Sequence, residues 1–221
     1  MSEMPSPDRP LPPLIGDPAP DFTARTTMGE RALRAYRGRW LLFLSHPADF
    51  TPVCTSEIIA FSRLHGAFQA LDCDLLVLSV DSLYAHLAWV QTIAERHGVT
   101  VPFPLVEDPT MAVARAYGMI HKDSRDSATV RASIVIDPGG IVRATCCYPL
   151  TTGRNAAEHL RLVTALRESD RSGGLAPENW QPGAPLLRPP PTSVAEMAQD
   201  PAGTDWLLRP MMPAKRPAAR R

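Results

Sequence analysis

The sequence lacks the features that mark membrane, secreted and nucleic-acid-binding proteins. Its longest apolar run in the body of the chain is "WLLFL" at 40–44, whereas a membrane-spanning helix needs about 20 apolar residues. The proline-rich first 20 residues contain no apolar segment typical of a secretory signal. The 23 basic and 23 acidic side chains balance, so charge does not indicate a nucleic-acid partner. We therefore expect a cytoplasmic protein that binds neither membranes nor nucleic acid.

Cysteine is also scarce. The 221 residues contain four cysteines, at positions 54, 73, 146 and 147, with no C-x-x-C pair and no Cys/His spacing typical of zinc. Secreted domains held by disulfides are shorter and denser in cysteine. The pattern predicts reduced intracellular thiols and no metal site, and it raises the question of which thiol is reactive.

Proline is rare in the middle of the chain. Of 24 prolines, seven lie in residues 1–20 and ten in residues 176–221. Proline restricts both its own backbone and that of the preceding residue, so regular structure is expected between these ends. We predict a flexible proline-rich N-terminus at 1–13, one domain at 14–170, and a C-terminal arm at 171–221 with a basic, disordered end.

The middle of the chain alternates between strand and helix patterns. The runs "RWLLFLSH" (39–46) and "CDLLVLSVD" (73–81) indicate buried strands, and apolar residues at steps of three and four indicate a helix over 58–71. Further patterns predict a helix at 82–98 between Ser82 and Gly98, a short helix at 110–117, a hairpin at 132–148 around "PGG", and a helix after Asn155. A parallel βαβ unit followed by a hairpin predicts an α/β protein, a thioredoxin-like sandwich with a C-terminal extension arm.

Cys54 occupies a position that favours reactivity. It stands in the first turn of the helix that follows the first buried strand, within "PADFTPVC". Free backbone N–H groups and the helix dipole favour a thiolate at such a position. The carboxyl edge of an α/β sheet is also where ligands bind. Thr51 lies three residues earlier with a hydroxyl that can donate and accept hydrogen bonds, and Pro47 stiffens the loop.

These residues resemble a known family. Pro47, Thr51 and Cys54 match the P-x-x-x-T-x-x-C signature of peroxiredoxins. The stretches "SHPADFTPVCTSE", "SVDSLYAHLAWV" and "YPLTTGRN" resemble the 1-Cys subfamily, over about residues 14–215. The resemblance implies that Cys54 is the peroxidatic cysteine, that Thr51 holds the peroxide, that Pro47 shields the thiolate from water, and that Arg131 pairs with the sulfur and the peroxide oxygens.

Three further residues have supporting roles by the same resemblance. Arg154 resembles a second arginine of the site, Glu57 the carboxylate that orients the arginines, and His46 a position that is also histidine in the subfamily. A packed histidine at the end of a strand is an equally good interpretation of His46. Four of the other five histidines lie on predicted helices or loops and are expected to be solvated; they are His86, His97, His121 and His159.

The resemblance implies a thiol-dependent peroxidase that reduces hydrogen peroxide and organic hydroperoxides without a cofactor. No cysteine follows Cys147, Cys73 opens a predicted strand, and neighbouring residues of a strand, such as Cys146 and Cys147, point to opposite faces. We expect these three cysteines to be buried structural residues. A 1-Cys mechanism follows, with an external thiol such as glutathione or thioredoxin as reductant. The resemblance also implies a homodimer or a higher homo-oligomer.

Other functions remain open at this point. The chain could be a peroxide sensor or a holdase chaperone that Cys54 oxidation switches, or a cysteine hydrolase that uses Cys54 with His46. Mammalian proteins resembling this chain carry a lipase-like element before the first strand. The corresponding stretch here, "YRGRWLLF", has no serine, so we do not expect phospholipase activity.

Overall fold

The chain divides into two units, Met1–Ala157 and Glu158–Arg221. The structure is a computed structural model that describes residues 12–120, 127–199 and 206–211. The boundary between the units falls inside the last long helix, earlier than the boundary expected after residue 170. Most of the N-terminal segment and the whole basic end lie outside the described residues, so their flexibility stays a prediction.

A seven-stranded mixed sheet forms the centre of the first unit. Its spatial order is β2-β1-β5-β4-β3-β6-β7. The strands are β1 (Thr23–Thr26), β2 (Gly29–Ala32), β3 (Trp40–Ser45), β4 (Cys73–Ser79), β5 (Leu105–Glu107), β6 (Arg131–Ile136) and β7 (Val142–Tyr148). β3 pairs with β4 in parallel, and β6 and β7 form an antiparallel hairpin. The predicted α/β thioredoxin-like architecture is confirmed.

The predicted helices are present, and the caps of the second one are as expected. The helices are α1 (Pro52–Gln69), α2 (Leu83–His97), α3 (Ala112–Ala116), α4 (Ala156–Ser172) and α5 (Val194–Gln199). Ser82 accepts a hydrogen bond from Ala85 N at 3.3 Å, and Gly98 ends α2 with a φ of 63°. A left-handed residue of this kind favours glycine. Within the described ranges, no helix is both long and apolar enough to span a bilayer.

Two parts of the sheet were not predicted. The hairpin of β1 and β2 is mostly exposed, and its sequence "TART" has no apolar alternation. β5 has only three residues and follows two prolines, at 102 and 104. Short strands of this kind lack the periodic signal that a longer run provides.

The core explains why the loop after β3 is held firmly. All six residues of β3 are buried, and its side chains alternate between the two faces of the sheet. Leu41 and Phe43 pack on one face in a cluster with Tyr117, whose ring lies 5.0 Å from that of Phe43. The inner side of α1 is also buried, through residues such as Ile58 and Phe61. The loop between β3 and α1 is therefore attached to buried elements at both of its ends.

The second unit has a small apolar cluster of its own. Trp180 is buried together with Ala165 and Leu186, and its indole N–H donates to Ala184 O at 3.0 Å. The short strands β8 (Leu186–Leu187) and β9 (Pro210–Met211) pair beside this cluster. The arm therefore contains regular structure where the high proline content predicts loops.

Candidate active site

Cys54 is the third residue of α1 and has no exposed surface. Thr51 stands at the N-cap position with extended backbone angles, but its side chain does not cap the helix. The Thr51 hydroxyl instead donates to Ala48 O at 2.9 Å. Because that hydrogen bond uses the hydroxyl hydrogen, the lone pairs of Thr51 Oγ1 remain able to accept a hydrogen bond from a ligand. Pro47, in the same loop, is buried as well.

Arg131, the first residue of β6, connects the sulfur to the rest of the site. Its Nη1 donates to Cys54 Sγ at 3.3 Å and to Glu57 Oε2 at 3.0 Å. Its Nε and Nη2 donate to Leu150 O at 3.2 and 2.8 Å. The guanidinium is thus fixed from two sides, and its charge lies directly on the sulfur, where it stabilises a thiolate relative to a thiol.

Glu57, one helical turn after Cys54, binds both arginines. Its Oε1 accepts from Arg154 N at 2.6 Å and from Arg154 Nε at 3.0 Å, and its Oε2 accepts from Arg154 Nη2 at 2.8 Å. Burial by itself would raise the pKa of Glu57, but the hydrogen bonds and the charges of Arg154 and Arg131 outweigh burial and lower it. The structure therefore brings Glu57 and Arg154 to the predicted site as an ionised pair.

The charges of this buried group balance in only one state of the sulfur. Arg131 and Arg154 carry two positive charges, and Glu57 carries one negative charge. The arginine and glutamate side chains are at most 3% exposed. An unbalanced buried charge is costly, because water cannot solvate it. A Cys54 thiolate makes the group neutral, whereas a thiol leaves it with an excess positive charge, so the surroundings favour the thiolate.

Ser45, the last residue of β3, was missed by the sequence analysis. Its hydroxyl donates to Val130 O at 2.6 Å and accepts from Ala132 N at 3.1 Å. These are the residues immediately before and after Arg131, so Ser45 fixes the backbone on both sides of the arginine. A buried serine at a strand end was the available signal, but the sequence does not show which backbone atoms it meets.

His46 lies next to the site without contacting the sulfur through a hydrogen bond. Its Nε2 is 2.8 Å from Asp49 Oδ1, and its Nδ1 has no hydrogen-bond partner among the described residues. The Cys54–His46 dyad that a cysteine hydrolase needs is therefore not formed. The interpretation of His46 as a packed histidine agrees with its burial, at 1% exposure.

Two of the four histidines expected to be solvated are in fact buried. His86 has no exposed surface and His159 is 2% exposed, so the expectation was wrong for both. His97 is exposed as expected, and His121 lies outside the described residues. His86 is buried because α2 turns its ring toward Asp49, and the ring is hydrogen-bonded to the Asp49 carboxylate.

All four cysteines are free thiols. Cys73 is buried as expected, but Cys146 is only half-buried and Cys147 is exposed, so the expected burial was wrong for these two. They lie on β7, which has a neighbour on one side only in the described sheet. Edge strands expose more side-chain surface than central strands, which accounts for the difference.

A metal could in principle use three side chains near the site. Ligand atoms of His46, Asp49 and Asp81 lie within 4.8 Å of one another. However, Asp81 Oδ2 already accepts from Asp49 N at 3.0 Å and from Ser79 Oγ at 2.6 Å, and Asp49 is bonded to His46. Because these lone pairs are used within the protein, the donor set fits a hydrogen-bond network better than a metal site.

The sequence and the fold match known proteins over most of their length. The AhpC/TSA family model matches residues 15–145, and the model of the C-terminal domain of 1-Cys peroxiredoxin matches residues 165–200. Peroxiredoxin 2 of Caldanaerobacter subterraneus subsp. tengcongensis is 45% identical over 202 residues, which cover 89% of this chain and 91% of that protein.

Two solved structures show the same similarity. A yeast mitochondrial 1-Cys peroxiredoxin superposes with a TM-score of 0.76 at 39% identity, covering 83% of this chain and 90% of its own. Peroxiredoxin 6 of Arenicola marina, in a cysteine-to-serine mutant, superposes with a TM-score of 0.81 at 30% identity, covering 92% and 99%. Together with the site geometry, these matches show that the chain belongs to the AhpC/TSA family and is a peroxiredoxin, a thiol-dependent peroxidase.

Proposed function

We propose that Cys54 is the peroxidatic thiol and that the side chains around it have the roles expected from the sequence. The observation that supports this most strongly is the contact of Arg131 Nη1 with Cys54 Sγ, inside a buried group whose charges balance only with a thiolate. The thiolate attacks the terminal oxygen of ROOH, an S–O bond forms and the O–O bond breaks. Sulfur is oxidised to the sulfenic acid, and the leaving alkoxide takes up a proton to become ROH.

Charge spreads from sulfur onto both peroxide oxygens as the O–O bond breaks. Arg131 is fixed by Glu57 and by Leu150 O before the peroxide arrives, so it needs no reorganisation to stabilise this charge. The free lone pairs of Thr51 Oγ1 can accept a hydrogen bond from the peroxide O–H. Preorganised donors are each worth about 3 kcal/mol in comparable reactions. Pro47 contributes by excluding water from the buried sulfur.

The sulfenic acid is then reduced by a thiol from outside the chain. Cys73 pairs with Trp40, at the opposite end of β3 from Ser45. Five residues of strand at about 3.3 Å each place Cys73 about 17 Å from the site. Cys147 and Cys146 pair with Ala132 and Ser133, the two residues after Arg131. A bond to either cysteine would require Cys54 to leave the arginine that holds its sulfur.

The external thiolate attacks the sulfur of the Cys54 sulfenic acid, an S–S bond forms, and the departing hydroxide takes up a proton to become water. A second external thiol then attacks the mixed disulfide, which releases the reduced enzyme and an external disulfide. The yeast neighbour is described as using the glutathione and thioredoxin systems. We propose a reductant of the same kind here. The free thiols support our proposal of a cytoplasmic location, where such reductants keep cysteines reduced. Within the described residues, β7 is paired on one side only, which supports a homodimer or a higher homo-oligomer.

Stopped-flow oxidation of the reduced protein by hydrogen peroxide, beside a Cys54→Ser variant, tests this function. We expect a fast phase that the variant loses, and added oxygen on Cys54 by intact mass when no reductant is present. An excess of peroxide should over-oxidise Cys54 readily, because no thiol lies ready to trap the sulfenic acid. A fast phase that survives in Cys54→Ser would refute the assignment, and an intramolecular disulfide would refute the 1-Cys cycle.

A further inference from the structure

A buried polar cluster lies beside the loop that precedes α1. It consists of His46, Asp49 and His86, which are 1%, 7% and 0% exposed. The Asp49 carboxylate lies between the two rings, with Oδ1 2.8 Å from His46 Nε2 and Oδ2 2.7 Å from His86 Nδ1. The other ring nitrogen of His86 lies 3.1 Å from Val106 O. A residue of α2 is thus bound to a residue of the active-site loop 37 positions earlier.

The hydrogen-bond partners determine where the protons are. A carbonyl oxygen only accepts, so His86 Nε2 must carry a hydrogen, and a further proton must lie between His86 Nδ1 and Asp49 Oδ2. Burial alone would raise the pKa of Asp49, but the hydrogen bonds from His46 and His86 outweigh it and lower the pKa. We therefore assign an ionised Asp49, whose two carboxylate oxygens accept one hydrogen bond from each ring. Burial lowers the pKa of His46, which agrees with a neutral ring there.

The hydrogen bond between His86 and Asp49 restrains the loop that carries Pro47 and Thr51. The Thr51 hydroxyl is oriented by the carbonyl of Ala48, the residue next to Asp49. Phe50 follows Asp49 with a φ of 58°, a left-handed conformation that is unfavourable for a bulky side chain. A strained backbone of this kind persists only where its surroundings fix it. The two side-chain hydrogen bonds of Asp49 and its backbone bond to Asp81 provide that restraint.

We propose that His86 is a positioning residue of the peroxidase reaction, which acts through Asp49 to fix the loop that carries Pro47 and Thr51. This inference rests on the roles proposed above for these two residues. Arg131 reaches the sulfur from β6 and is held by Glu57 and Leu150 O, none of which belongs to this cluster. Loss of His86 should therefore slow the reaction with peroxide while leaving thiolate formation unchanged.

The first test compares His86→Phe with His97→Phe, the same substitution at an exposed position of the same helix. Misplacement of reacting groups by about 1 Å can cost 100-fold in rate. We expect His86→Phe to lower the second-order rate constant with hydrogen peroxide by about 10- to 100-fold. His97→Phe should match wild type. The pH profile of iodoacetamide alkylation of Cys54 should be the same in all three proteins. An unchanged peroxide rate in folded His86→Phe would refute the proposal, and so would an equal loss in the peroxide and alkylation rates.

A second pair of variants separates hydrogen bonding from charge. In Asp49→Asn, the amide N–H can donate to a neutral His86 Nδ1, and the amide oxygen can accept from His46 Nε2. The loop should stay in place, so the rate should remain within a few-fold of wild type, whereas Asp49→Ala should lose as much as His86→Phe. A loss in Asp49→Asn as large as that in Asp49→Ala would contradict positioning by hydrogen bonds.

Nitrogen chemical shifts of His86 give a readout that does not depend on activity. They should report a hydrogen on Nδ1 in wild type, where the Asp49 carboxylate accepts it, and an Nδ1 without a hydrogen in Asp49→Asn, where the amide N–H donates. A wild-type Nδ1 without a hydrogen would refute the hydrogen bond to Asp49, even if His86→Phe failed to fold. Cys54→Ser separates the two levels of inference, because peroxide reduction that survives in it would overturn the proposed function. Loss in Cys54→Ser with full activity in His86→Phe would overturn only the role of His86.

Discussion

Replacing Glu57 by glutamine should destabilise the protein more than any surface substitution of the same kind. Glu57 accepts four hydrogen bonds, one from Arg131 and three from Arg154. The amide oxygen of glutamine can keep the two hydrogen bonds that one carboxylate oxygen accepts. Its NH₂ group, in place of the other carboxylate oxygen, would face N–H donors and lose the other two hydrogen bonds. A hydrogen bond to a charged group contributes about 1.5–3 kcal/mol, so losing two costs about 3–6 kcal/mol. This agrees with the 3–5 kcal/mol or so lost when a buried ion pair is broken.

Thermal and urea denaturation of the reduced proteins measure this loss. For a chain of this length, each kcal/mol corresponds to about 2–4 °C in Tm, so we expect a decrease of about 6–24 °C. Glu158→Gln is the matched control, because Glu158 pairs with Arg161 at the surface one turn away. Such pairs contribute at most about 1 kcal/mol. A loss below 1 kcal/mol in Glu57→Gln, or equal losses in the two variants, would refute the reasoning.

Three further predictions concern the site and its pH dependence. Thr51→Val should lower the peroxide rate constant by about 100-fold or more, because it removes a preorganised polar group, and Thr51→Ser should restore most of it in stopped-flow assays. Ser45→Ala should cost about 1–3 kcal/mol, because the hydrogen bonds to Val130 O and from Ala132 N are lost, and alkylation of Cys54 should be slower at neutral pH, because Arg131 is less firmly held. Burial lowers the pKa of His46 below 6.5, so its contribution to stability is complete above pH 6.5 and is lost as pH falls through the lowered pKa. Urea denaturation between pH 7.5 and 5 should therefore show a decrease that His46→Gln reduces, and a stability equal at both pH values would contradict this.

The sequence predicted the central part of the fold well, because local patterns determine it. The apolar run at 40–44 is short, which favours a buried strand, and the apolar residues at steps of three and four after it favour one face of a helix. The sequence analysis did not predict β1, β2 and β5, because these short strands are stabilised by pairing with distant strands and their own side chains show no strand pattern. The β5 residue Val106, for example, is paired with Thr26, which lies 80 positions earlier.

The candidate site was predictable only in part. The signature around Cys54 is local, so the positions of Pro47 and Thr51 could be inferred directly. Arg131 and Arg154 were identified through the family resemblance, since nothing near them in the sequence indicates that they meet Glu57. His86 was misjudged for the same reason: its burial depends on Asp49, a residue in a different element, and a histidine on an amphipathic helix looks the same whether it is solvated or paired.

The long sequence separations within the site affect when the thiol becomes reactive. Cys54 and Glu57 come from the first helix after β3, but Arg131 follows 77 positions after Cys54 and Arg154 follows 97 positions after Glu57. At typical synthesis rates of 5–20 residues per second, Arg154 emerges about 5–20 s after Cys54. Until then the cysteine has neither its activating charge nor its carboxylate partner, and it behaves as an ordinary thiol. We therefore expect full reactivity of Cys54 only after both arginines have been synthesised and have packed against Glu57.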